Sequence, residues 1–75
     1  MDIIVNGVPQ ELAESLTVAA LLEARGLIGK RVAVERNGEI VAKSLHAETL
    51  LAVGDRIEIV VAVGGGRTQT WIRTP

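Results

Sequence analysis

Seventy-five residues make one domain, and so short a chain buries only about 60% of its unfolded surface, enough for one modest core without a deep cleft. Apolar residues make up 48% of the sequence, which argues against disorder, and a formal net charge of −1 without a basic cluster argues against an electrostatic nucleic-acid binder. The absence of cysteine excludes disulfides, thiolate metal sites and a cysteine nucleophile, and no apolar run approaches the length of a membrane span.

The first elements read as a hairpin. Asp2-Ile3-Ile4-Val5 is short and β-branched, and it runs into Asn6-Gly7, a pair suited to a turn needing positive φ at both centres. Val8 to Leu12 is the return strand. Pro9 cannot donate to a ladder, so that strand belongs at a sheet edge.

Thr17 caps a helix in which Val18, Leu21, Leu22 and Arg25 fall at helical spacing, the apolar members forming one stripe. Leu16 is placed to staple onto Leu21, and Gly26 supplies a stop against which Leu27 packs. Two to three turns are too few to be stable alone, so the helix needs a sheet beneath it.

Arg31 to Arg36 is the next strand. Asn37-Gly38 is a second hairpin turn, and Glu39-Ile40-Val41 returns. Ala42 to Glu48 reads as a turn or a short 3₁₀ piece. Thr49 to Val53 leads to a turn at Gly54-Asp55. Arg56 to Val63 is the last strand, and it runs into Gly64-Gly65-Gly66.

The order β-β-α-β-β-β with a single helix predicts an α+β fold, a mixed sheet with the helix packed across one face. The last strand then lies centrally beside the first. Parity puts Ile57, Ile59, Val61 and Val63 on the helix side with Ile3 and Val5. Ile4, Val60 and Ala62 fall on the uncovered face, as scattered surface residues or, if contiguous, as a partner surface.

Enzyme chemistry finds little support. His46 has no second ligand beside it in sequence and reads as a loop histidine. Ser15 and Ser44 have no assignable base. Glu11, Glu14 and Glu23 read as solvated-face residues. The triglycine precedes no helix and carries no Lys-Ser/Thr, so it is not a phosphate loop. It reads instead as an extended tail whose bare backbone suits a narrow tunnel in a partner enzyme, or as a flexible linker.

The segments Ala33-Val34-Glu35-Arg36-Asn37-Gly38-Glu39-Ile40-Val41, Leu51-Ala52-Val53-Gly54-Asp55-Arg56-Ile57-Glu58-Ile59 and Val63-Gly64-Gly65-Gly66, with Thr17-Val18-Ala19-Ala20-Leu21-Leu22, resemble the ThiS-type sulfur carriers of thiamin biosynthesis. The likeness covers Met1 to Gly66. It implies the ubiquitin-like β-grasp fold and a cytoplasmic carrier rather than an enzyme, with no bound cofactor.

The resemblance further implies that a ThiF-type adenylyltransferase activates the Gly66 carboxylate with ATP and Mg²⁺. A sulfur donor then converts it to a thiocarboxylate. The tail Gly64-Gly65-Gly66 would enter a ThiG-type thiazole synthase and give up its sulfur. The molybdopterin-synthase small subunit shares the Gly-Gly end and the chemistry, but is usually longer and usually lacks the Arg-Asn-Gly hairpin. A reading of a different class is a non-covalent ubiquitin-like binding module using the Ile4, Val60, Ala62 face.

Residues 67–75 depart from the family pattern, which normally ends at the second glycine of the pair. With Arg67 attached, Gly66 has a peptide bond and no free carboxylate. A processing protease removes the extension, the gene's end is misassigned, or the carrier role has been lost. The domain reading is a carrier over residues 1–66 and a flexible, disordered extension over residues 67–75.

Overall fold

The structure is a computed structural model and describes residues 1–65 and 67–74. Strands β1 (Asp2–Val5) and β2 (Val8–Glu11) form the first hairpin, followed by helix α1 (Val18–Ala24). Strands β3 (Val32–Arg36) and β4 (Glu39–Ile40) form the second, and a 3₁₀ turn covers Lys43–Leu45. The long strand β5 (Arg56–Val63) and a short strand β6 (Thr70–Arg73) complete the chain. Both hairpins turn where Asn-Gly predicts: Asn6 and Gly7 have φ of 50° and 80°, Asn37 and Gly38 of 52° and 86°.

The sheet order is β2-β1-β5-β3-β4, with β6 also paired to β5. β5 lies parallel to β1 and antiparallel to β3, so the sheet is mixed. β2, which contains Pro9, is the edge strand next to β1. The helix lies against the face formed by Ile3, Val5, Val34, Ile57 and Ile59, and Val18, Leu21, Leu22 and Leu51 close the core with them. This is the β-grasp arrangement.

The helix is short but well anchored. The Thr17 hydroxyl accepts from the Ala20 N–H at 3.0 Å. At the other end Leu27 N–H returns to Leu22 O at 2.9 Å. The segment after the 3₁₀ turn is tied to the helix start: Val18 N–H donates to Thr49 O and Leu51 N–H to Leu16 O, both at 2.9 Å.

Helix length explains where the expected inner face of β5 stops being buried. Seven helical residues span about 10 Å, whereas eight strand residues span about 26 Å. Ile57 and Ile59 are buried, Val61 is half-buried, and Val63 is 42% exposed. Parity is kept along the strand, but the helix ends too soon to cover its far half.

The C-terminal residues differ from the expectation of a disordered tail. Thr70–Arg73 is a strand, antiparallel to β5 in the register Val60↔Arg73, Val61↔Ile72, Ala62↔Trp71 and Val63↔Thr70. β1 stops at Val5, which leaves that edge of β5 without a neighbour beyond Ile57. Residues 70–73 are β-branched, aromatic and long side chains in alternation, and they fill the open edge.

Candidate functional site

The site is the far end of β5 and the turn that follows it. Gly64 has φ of +87°, and a Cβ there would meet the Thr68 carbonyl oxygen at 2.6 Å. Both facts demand glycine. The chain therefore bends at Gly64 instead of continuing straight, a correction to the extended path expected at that residue. Gly65 is exposed, with open space where a Cβ would stand. Gly66, the residue expected to carry the chemistry, lies outside the described residues.

Asn6 joins three strands midway along β5. Beyond serving the turn, its side-chain amide behaves as one more ladder residue. Oδ1 accepts from Ile59 N–H at 2.7 Å and Nδ2 donates toward Ile59 O at 3.0 Å. The same Nδ2 lies 2.7 Å from Thr74 O and 2.9 Å from Thr74 Oγ1. Thr74 N–H donates to Ile59 O at 3.1 Å, and Thr74 is buried. Asn6 thus fills the gap between the end of β1 and the end of β6. Sequence reasoning assigned Asn6 only to its turn, since its partners lie 53 and 68 residues away.

Ile4, Val60 and Ala62 share the uncovered face, all half-buried, but they do not form one patch. Ile4 stands opposite Arg56, four residues before Val60, or about 13 Å along the strand. Val60 and Ala62 are flanked instead by Ala33 on β3 and by Arg73 and Trp71 on β6. Arg73 is ion-paired to Glu58 at 3.0 Å on the same face.

At the opposite end of β5, Asp55 is a buried hub that the sequence reading treated as a turn residue. Its carboxylate accepts from Arg36 Nε at 2.7 Å, Asn37 Nδ2 at 3.0 Å and Ala52 N–H at 2.7 Å. Burial pushes the carboxyl up, but the Ala52 N–H, the Asn37 amide and the Arg36 guanidinium outweigh it and hold the pKa below the ordinary value. These contacts lock the β3–β4 turn to the start of β5.

His46 and Ser15 have structural partners. His46 Nε2 lies 3.1 Å from Val41 O, and the Ser15 hydroxyl donates to Leu51 O at 2.8 Å. Among the described residues no group of three or more His, Asp or Glu converges to hold a metal ion, and no helix is long and apolar enough to cross a membrane.

Comparison with known proteins bears directly on this geometry. The model of the ThiS family matches residues 3–66, ending where the glycines end. The thiazole synthase of Paramagnetospirillum magneticum is 45% identical over 69 residues, 92% of this chain and 21% of that protein. The chain thus spans about a fifth of the length of that thiazole synthase. The sulfur carrier protein ThiS of Bacillus subtilis is 48% identical over 50 residues, 67% of this chain and 76% of that one. The crystal structure of the thiamine biosynthesis protein ThiS from Geobacter metallireducens superposes with a TM-score of 0.75 at 38% identity, over 88% of this chain and 100% of that one. By fold, by the span of the match and by these likenesses, the chain belongs to the ThiS family.

Proposed function

We propose that this chain carries sulfur as a thiocarboxylate on Gly66 and delivers it for thiazole formation in thiamin biosynthesis. The observation that carries the reading is a coincidence of two ends: the family match stops at residue 66, where β5 has run out into glycine. A strand anchored in the middle of the sheet gives the glycines a rigid body from which to extend. Bare backbone then lets a partner's active site close around them.

The chemistry follows from the poor electrophilicity of a carboxylate. A ThiF-type adenylyltransferase, using ATP and Mg²⁺, joins the Gly66 carboxylate to AMP and releases pyrophosphate. A sulfide equivalent from a donor then attacks the acyl carbon and AMP leaves. The resulting thiocarboxylate is a nucleophile on a reusable carrier. The name of the Paramagnetospirillum relative supports thiazole synthase, a ThiG-type enzyme, as the recipient. The exchange belongs in the cytoplasm in this reading. Because Arg67 follows Gly66, a protease must cut between them before adenylation.

The test uses a chain ending at Gly66, incubated with the adenylyltransferase, ATP, Mg²⁺ and a sulfur donor, and weighed intact. Exchange of one oxygen for one sulfur at the terminus is the expected result. An unchanged mass, with the enzyme active on another ThiS protein, overturns the proposal. The full-length chain should remain unmodified in the same mixture.

A further inference from the structure

The edge of β5 next to the glycines is a feature that sulfur chemistry alone does not explain. β1 pairs with β5 only as far as Ile57, and the Asn6 amide covers Ile59. Beyond that point the strand runs on to Val63. Its even-numbered residues face β3, as the Ala62 N–H bond to Arg31 O at 2.9 Å shows. By strand alternation, Val61 and Val63 turn their N–H and C=O groups the other way. Without β6 these groups would form an open edge, a ready template for another strand.

The chain's own residues show what fits there. Thr70–Arg73 pairs along the edge, and Ile72, opposite Val61, helps line a groove of about 540 Å³ with Leu27, Val61 and Val63. Thr74 ends the segment on Asn6. The segment is thus read at three points: backbone along β5, an aliphatic side chain forming one wall of the groove beside Val61, and a hydroxyl and carbonyl at the Asn6 amide. Recognition by strand addition has this form.

We propose that the β5 edge from Ile59 to Val63 is a docking site for an extended segment of a partner protein, and that residues 70–74 are its resident occupant in this chain. The partner segment places an aliphatic side chain in the Ile72 position and hydrogen-bonds Asn6 where Thr74 does. Occupancy by the chain itself excludes that partner and holds Gly64 in its bend. Departure of residues 67–75 therefore opens the edge and frees the glycines together. The link to the glycines rests on the carrier reading; the docking site does not.

The core lies wholly between Ile3 and Ile59, and the Geobacter chain is matched in full by 88% of this one, so a chain ending at Gly66 retains what folds it. The test has two parts. In the full-length chain, amide exchange at Val61 and Val63 should be slow, and it should quicken by at least about tenfold in the chain ending at Gly66 while Ala62 stays protected. A synthetic peptide of residues 67–75 should bind the chain ending at Gly66 one to one by calorimetry. It should bind the full-length chain at least about tenfold more weakly. N-methylation of the peptide at Ile72, which removes a ladder donor, should abolish binding. Equal exchange at Val61 and Val63 in the two chains, or absence of saturable binding to the shorter one, overturns the proposal. Neither readout involves sulfur, so failure here leaves the carrier assay to stand or fall by itself.

Discussion

Asp55 and Asn6 secure the start and the middle of β5 through side-chain groups. Asp55 meets Arg36, Asn37 and the Ala52 N–H. Replacing it by Asn removes a charged acceptor beside a cation and should cost about 1–3 kcal/mol at neutral pH, read from denaturant unfolding. Because the folded pKa is depressed, the stabilisation is complete above the unfolded value of about 3.9 and is lost as pH falls through the lower folded value. The gap in stability between the parent and Asp55→Asn should therefore be constant near neutrality and shrink in acid. At the glycines, Gly64→Ala should destabilise by about 1–2 kcal/mol, since the backbone there is left-handed and a Cβ would strike Thr68. Gly65→Ala meets open space and should leave unfolding unchanged within about 0.5 kcal/mol. Any loss of sulfur loading in Gly65→Ala, made in the chain ending at Gly66, would then report the fit of bare backbone to a partner.

Among the elements, the helix and the hairpins were legible in the sequence because their determinants are local. Thr17 caps its own turn, Asn-Gly fixes each hairpin, and Pro9 marks an edge. Thr17→Ala should cost about 1 kcal/mol in thermal or denaturant unfolding. β6 was hidden for the opposite reason. Thr70-Trp71-Ile72-Arg73 has strand-forming side chains, but the vacancy it fills arises from the difference in length between β1 and β5. That difference matters only once the two are paired in register. Asn6 and Asp55 were missed for the same cause, since their partners are brought together by the sheet. β6 also moderates a conflict within the sheet. Glu35 and Glu58 are directly opposed on β3 and β5, and Arg73 places a cation against Glu58.

For the molecule as a whole, the bend at Gly64 and the return of the chain along β5 were not foreseen. The core needs nothing after Ile59, so the chain ending at Gly66 should still unfold in one cooperative step. Its stability should be lower by about 1–3 kcal/mol, reflecting the lost ladder and the Asn6–Thr74 bonds. A chain of this size has little stability to spare.

Trp71 lies in β6, and the chain has no tyrosine and no phenylalanine. Every aromatic photon from this chain therefore comes from the segment whose removal the carrier proposal requires. Cleavage after Gly66 would leave a body that neither absorbs at tryptophan wavelengths nor fluoresces there, so maturation can be followed without any label as the loss of tryptophan absorbance from the protein peak once body and released peptide are separated by size.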